Sequence, residues 1–366
     1  MPAKRIENLD RNFQAQGLTQ NSSALHWLPH SDRRLTLRGL AWFKENKGSF
    51  SRLPLRAQKI VREPVWELAQ CPASARVCFR SDTTTLAVRA KNDDAGHMMH
   101  MPSSGSNGCI LYCGEPSQMR PWASAIPESE SGAFERELFT GVPRKVREFA
   151  LYLPSYKALR SLEIGLSRGA KIEKPSAPAL AKPVVFYGTS ITQGGCANTA
   201  GTDFVSTIGR NLNLDVLNLG FSGNGKGEPE LAQLVSEIDA SLYVLDYAGN
   251  VNAQELKQTL PPFVKILRQK RPRVPILIVT NVCFSTYDWR DSTRDELEQR
   301  RDVMMAFYLR TRESGDRNIH LADGFSLIPF GTDSAYVDGV HPTDHGFALM
   351  AERLAPAIRM ILQRDH

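Results

Sequence analysis

At 366 residues the chain is longer than one hydrophobic core usually organises, so two domains are expected. A composition of 42% hydrophobic and 23% charged residues, with 26 Gly and 22 Pro, belongs to a globular protein with many turns and excludes a disordered chain. The net charge of +6 is spread among nearly as many acids as bases. Its densest run, Arg268, Lys270, Arg271 and Arg273, suits the C-terminal end of a helix, so no nucleic-acid partner is expected.

The chain opens on MPAKRIENLDRNFQAQG, which is polar and lacks the apolar stretch of a signal peptide. No segment approaches the roughly 20 apolar residues of a membrane span. A loose arm over residues 1–24 and a cytoplasmic protein with no membrane partner are expected, or a periplasmic or secreted one if the chain begins at a mature end. From about residue 25 to 172, short runs alternate with period two: Leu86, Val88 and Ala90, then Phe149, Leu151 and Leu153, then Leu162, Ile164 and Leu166. Strands with one buried face do this, and no long helical pattern interrupts them, so this part is expected to be an all-β sandwich of jelly-roll type. The cluster DDAGHMMH over 93–100 could suggest a metal through His97 and His100. Neither shows ligand-pair spacing, so a solvated loop is expected, with no metal and no cofactor. Six cysteines without a C-x-x-C pair indicate neither a disulfide framework nor a zinc ribbon.

The stretch EKPSAPALAKP, residues 173–183, has three prolines among small residues and is expected to be an extended linker. Beyond it, over 184–366, apolar runs of strand length alternate with helical patterns: VVFY (184–187), DVLNL (215–219), LYVLDY (242–247) and PILIVT (275–280). That rhythm predicts a parallel sheet built of βαβ units. A last helix follows DGVHP, with Phe347, Met350, Ala351, Leu354, Ile358 and Ile361 on one face and Thr343 or Asp344 as its cap.

Ligands of such sheets bind at the carboxyl ends of the strands, where Ser190 follows the first one. Alone, Gly188-Thr189-Ser190 could be a turn with a capping serine. A serine nucleophile needs an adjacent base, and the base needs an acid to orient it. Asp338 and His341 stand three positions apart in the loop before the last helix and can supply both. Capping, a salt bridge, or a metal held with Asp344 and His345 are other uses of that segment, and none of them accounts for the serine. Between these ends, the glycines of LNLGFSGNG (217–225) can expose a backbone N–H and Asn250 a side-chain amide, although turn formation is the commoner use of such an asparagine.

These four stretches, Gly188-Thr189-Ser190, Asn218 to Gly223, Asn250 and Asp338-x-x-His341, resemble the ordered blocks of the SGNH/GDSL hydrolase superfamily across the second domain. The resemblance implies a flavodoxin-like α/β domain with Ser190 as nucleophile, His341 as base, Asp338 as orienting acid, and an oxyanion hole from Ser190, Gly223 and Asn250. Thr189 stands where the general pattern has Asp, and Ala248 where the third block has Gly. In the first domain, His100-Met101 followed by SGSNGCILY (104–112) is similar to the β-sandwich that precedes one esterase subgroup and carries a Gly-x-Asp-Leu-Tyr signature, with Ile110 here in place of the Asp. The resemblance implies a serine esterase that removes a small acyl group, acetyl, from a carbohydrate or related small-molecule or oligosaccharide ester. An acyltransferase with the same triad and a non-catalytic carbohydrate-binding protein are the alternatives. The shallow crevice that the resemblance implies and the proline-stiffened linker lead us to expect that the loop from His97 to Tyr112 approaches Ser190, with His100 and Ile110 as substrate contacts; the alternative is a sandwich that only stabilises the fold or binds polymer at a distance.

Overall fold

The computed structural model describes residues 9–10, 24–127 and 131–364, so the arm expected over residues 1–24 lies almost entirely outside the described residues. Among the described residues, ten strands precede residue 174: β1 (Leu25–Pro29), β2 (Thr36–Arg38), β3 (Arg76–Ser81), β4 (Leu86–Asn92), β5 (Cys109–Cys113), β6 (Arg120–Ala125), β7 (Ala133–Phe139), β8 (Arg147–Tyr152), β9 (Leu159–Ser167) and β10 (Ile172–Glu173). They form an antiparallel sandwich of a four-stranded sheet, β1-β9-β4-β7, and a six-stranded one, β10-β3-β8-β5-β6 with β2 on β3. The period-two pattern explains its core: Val88, Leu111, Leu151 and Ile164 face one another between the sheets. On β3, β5 and β8 the opposite face is buried as well, through Cys78, Ile110, Tyr112, Ala150 and Tyr152, which pack together with Ala200 of the following layer.

That following layer is a parallel sheet in the order β12-β11-β13-β14-β15, from β11 (Val184–Gly188), β12 (Val216–Gly220), β13 (Leu242–Asp246), β14 (Ile276–Val279) and β15 (Ile319–Ala322). This is the flavodoxin-type order, whose crevice opens where the chain reverses direction across the sheet, between β11 and β13. Both faces are covered, as a fully apolar strand requires. Val185 and Tyr187 of β11 point into one core, and Val184 and Phe186 into the other. The last helix, Asp344–Arg364, starts where expected, and Phe347, Met350, Ala351, Leu354, Ile358 and Ile361 all lie in that second core. Its opening turn is capped by Thr343, whose hydroxyl accepts from Gly346 N–H, while Asp344 turns away to accept from Asn198 N–H.

Three features differ from the sequence expectation. The strand Ile319–Ala322 was not anticipated, because IHLA is short and three of its four residues are only half-buried, so no apolar run marks it. Within the expected all-β segment, residues 40–70 leave the sandwich. A 3-10 turn at Leu55–Lys59 and a helix at Glu63–Ala69 bring Trp42, Leu53, Ala57, Val65 and Ala69 into the core of the parallel layer. Each large apolar side chain so buried is worth about 1.5–3 kcal/mol. The proline segment, finally, is fastened rather than free. Its first residue belongs to β10, Ser176 donates through N–H and Oγ to Glu148 at 2.8 and 2.6 Å, and Ala179 N–H donates to Asn213 O at 2.7 Å. The prolines remove the segment's own helix and ladder bonds, and the neighbouring layers supply the partners.

Candidate active site

β11 ends at Gly188, where only glycine fits: a Cβ there would sit 2.0 Å from Thr192 Oγ1 and 2.4 Å from Asp246 O. The chain then makes one helical turn, Ser190–Gln193. Thr189 caps it by accepting from Ile191 N–H, while Thr192 Oγ1 accepts from Thr189 N–H, both at 3.2 Å. This reciprocal pair fixes Ser190 at the carboxyl end of β11. Ser190 Oγ lies 2.8 Å from His341 Nε2, and His341 Nδ1 lies 2.7 Å from Asp338 Oδ2.

The loop that carries the histidine is built around Asp338. Its other oxygen accepts the N–H groups of Val340 at 3.0 Å and His341 at 2.8 Å, so one carboxylate orients both the ring and the backbone beneath it. Partial burial pushes the Asp338 pKa up, but the His341 N–H, the His341 ring and the Val340 N–H outweigh it and hold the carboxyl at about 2. Asp338 is therefore an anion throughout the neutral range, as the partner of an imidazole must be. The loop is closed by Val337 N–H donating to His341 O at 2.9 Å.

Gly223 and Asn250 lie on the neighbouring strand ends. Gly223 has φ +67°, with open space where a Cβ would point, and follows β12 in a tight turn. Asn250 closes a 3-10 turn after β13, and its Nδ2 donates to Phe221 O at 3.3 Å, which uses one of its two N–H groups. Asn252 is different: it caps the helix Ala253–Lys270 in a capping box with Glu255.

The loop from His97 to Tyr112 comes up beside this site, through Met101 packed with Ile191, but Ile110 does not face it. Ile110 is 5% exposed and sits in β5 opposite Tyr152 and Ser124, inside the cluster between the layers, so it is a packing residue and not a wall offered to substrate. His100 is exposed, in a loop whose next residue, Met101, is buried with Ile191 and Ala197. That loop docks on the segment after Ser190, where Ala200 N–H donates to Ser104 O at 3.2 Å. His97 and His100 gather no further ligands, and the described residues contain no cluster of three His, Cys, Asp or Glu side chains.

The residues of the sandwich that do touch the nucleophile's turn went unremarked in the sequence. Tyr156 OH donates to Ser190 O at 3.4 Å, and Gln193 Nε2 donates to Ser155 O at 3.1 Å while its Oε1 accepts from Ser222 N–H at 3.0 Å. Beneath the turn, Asp246 accepts from Thr192 Oγ1 at 3.0 Å, and burial raises its pKa to about 7 against that hydrogen bond. Arg52, from the excursion over residues 40–70, donates to Asn218 O at 3.0 Å, Gly220 O at 2.6 Å, Cys71 O at 2.6 Å and Leu68 O at 2.8 Å. Single residues of this kind carry no motif, and only the fold shows what they meet. A cavity of about 690 Å3 lies at the amino ends of the strands beside Lys182, Ser241 and Pro275, away from Ser190. Ser190 itself is 8% exposed.

Residues 181–359 match the GDSL-like lipase/acylhydrolase family, and residues 25–172 match the GxDLY family, described as the N-terminus of Esterase SGNH hydro-type. No curated protein matches the chain. Among solved structures it is similar to a protein of Bacteroides ovatus ATCC 8483 described as a GDSL-like lipase, with 28% identity, a TM-score of 0.85, and 93% of this chain and 98% of that chain covered. The salicylyl-acyltransferase SsfX3 of a tetracycline biosynthetic pathway gives 22% identity and a TM-score of 0.77, with 93% and 99% covered. A family two carbohydrate esterase from Clostridium thermocellum, in complex with cellohexaose, gives 16% and 0.58, with 80% and 93% covered. The likeness to these last two is one of fold.

Proposed function

Since this chain belongs to the SGNH/GDSL hydrolase superfamily, with the β-sandwich of the GxDLY esterases before its hydrolase region, we propose that it is a serine esterase removing a small acyl group, acetyl, from a carbohydrate or similar polyhydroxylated ester. The observation that carries the reading is the unbroken relay Ser190 Oγ, His341 Nε2, His341 Nδ1, Asp338 Oδ2, at 2.8 and 2.7 Å.

Ser190 Oγ attacks the ester carbonyl as His341 Nε2 takes its proton, and the resulting imidazolium is stabilised by the Asp338 anion. Negative charge builds on the carbonyl oxygen. The Ser190 and Gly223 N–H groups and the free N–H of Asn250 are its donors, each worth about 3–4 kcal/mol in such sites. Collapse expels the alcohol, which takes the proton from Nε2. Water then repeats the sequence on the acyl-enzyme, and Ser190 is regenerated. The carbohydrate part of the proposal draws on the sandwich and on the carbohydrate esterase with its bound cellohexaose.

Turnover of p-nitrophenyl acetate by the native protein and by Ser190→Ala tests the chemistry: activity abolished in the variant supports it, and equal activity in both overturns it. The likeness to a salicylyl-acyltransferase supports a second reading, in which an alcohol acceptor intercepts the same acyl-enzyme. Product analysis with and without an added polyol separates transfer from hydrolysis.

A further inference from the structure

Beside the loop that carries His341 lies a groove that the steps above do not use. A cavity of about 270 Å3 lies between the segment after β14 and the segment before the His341 loop, lined by Ser285, Asp288, Trp289, Phe330, Thr332 and Tyr336 among others. It adjoins the triad through hydrogen bonds: Ser285 N–H donates to Gly339 O at 2.9 Å and Ser285 Oγ to the same oxygen at 3.3 Å, with Gly339 next to Asp338. Tyr336 OH donates to Cys283 O across the groove.

Two aromatic rings stand at this groove in water: Trp289 is 83% exposed and Phe330 52%. Phe330 is nonetheless held in place. It meets Tyr287 edge-on with centroids 5.9 Å apart, Tyr287 meets Phe325 edge-on at 5.6 Å, and Arg301, paired with Asp323 at 2.6 Å, stands 5.2 Å over the Phe325 ring. Neighbouring apolar rings left in water, one of them braced from behind, mark a contact surface better than a stability device.

The chemistry says which part of an ester comes here. The leaving oxygen takes its proton from His341 Nε2, so the alcohol lies on the His341 side and the acyl oxyanion toward Gly223 and Asn250. We propose that this groove is the leaving-group subsite and holds one pyranose ring of an acylated saccharide. The C–H face of the ring lies on Trp289 and Phe330, and its hydroxyls meet Ser285, Asp288 and Thr332. A carboxylate among the lining groups accepts from sugar hydroxyls and disfavours a wholly apolar acyl chain. The volume falls just below the roughly 300–1,000 Å3 of ordinary ligand pockets, which suits a single ring. This assignment rests on the esterase reading and deepens it.

The test compares Trp289→Ala and Phe330→Ala with the native protein on xylose tetraacetate and on vinyl acetate, whose leaving group has no ring. The expected result is a KM for the sugar ester raised about tenfold, the size of one lost aromatic contact of ~1.4 kcal/mol, with vinyl acetate turnover within about twofold of native. Unchanged selectivity in both variants overturns the subsite, and so does an equal loss on both esters. A second measurement stands apart from turnover: acetylated xylobiose added to Ser190→Ala should quench tryptophan emission, and Ser190→Ala/Trp289→Ala should lose that quench. Quenching in a native protein that hydrolyses no ester would refute the esterase reading and keep the groove. Turnover of the sugar ester with neither a quench nor a selectivity change would do the reverse.

Discussion

The two partners of the Ser190–His341 hydrogen bond are held by different means. Ser190 is fixed from below by a crowded sheet end, where Gly188, Thr192 and Asp246 leave no room for one extra carbon and the sandwich adds Tyr156 and Gln193's partner Ser155. His341 is fixed by a loop whose own carboxylate, Asp338, takes both the ring and two backbone N–H groups, at side-chain exposures of 28% and 27%. The first arrangement distributes its constraint over three segments of chain, and the second concentrates it in one residue. Damage to the residues that support Ser190 should therefore appear as lost fold, and damage to the residue that supports His341 as lost chemistry in an intact fold.

The sharpest probe removes the reacting groups themselves. Ser190→Ala and His341→Ala should each lower ester turnover by on the order of 10^4- to 10^6-fold, and the double variant should be no worse, since the residues act as a unit. Thermal midpoints within a few degrees of native complete the expectation. Asp338→Asn should come next, with a loss on the order of 10^4-fold, because the amide can no longer stabilise the imidazolium. A folded, inactive Asp338→Asn protein supports the contrast drawn above, and an unfolded one breaks it.

Asn250→Ala should cost about 100- to 1,000-fold in kcat with little change in KM. Asn252→Ala is its partner experiment: loss of the cap should cost about 1 kcal/mol of stability and leave turnover close to native. Equal activity losses would move the oxyanion donor to the wrong asparagine. The gentlest probe is Asp246. Its carboxyl is raised to about 7 in the fold, so between pH 4 and 7 the unfolded chain gives up a proton that the folded chain keeps. That group's contribution is fully present below about pH 4 and is lost as the pH rises through 7. Denaturant midpoints measured from pH 5 to 8 should therefore fall less steeply in Asp246→Asn than in the native protein.

What the sequence made legible follows the same division. Four of the five parallel strands and the final helix announce themselves because VVFY, LYVLDY and the Phe347–Ile361 stripe are local patterns. Ser190, Asp338 and His341 stood out because each lies in a short block in a fixed order, and the fold brings them within hydrogen-bonding distance. Ile110 misled because a position matched to a motif says nothing of which layer covers it, and here the cluster around Tyr152 and Ala200 does. Residues 40–70 were missed because Trp42, Leu53, Ala57 and Val65 join a core whose other strands and helices begin only at Val185, which no window of sequence can show.

Arg52 carries one further consequence. Its guanidinium, buried and pulled down to a pKa of about 10 by that burial, holds carbonyls of β12 from a segment that precedes most of the sandwich, and lies 5.0 Å over the Phe221 ring. A chain cut at residue 183 would leave the Asn218 and Gly220 carbonyls without their donor and expose the apolar surface that Trp42, Leu53 and Val65 cover. The hydrolase layer is thus not a cassette that recombination can lift away from its sandwich. Calorimetry should record one cooperative melting transition for the whole chain, because neither half can lose its structure while the other keeps it.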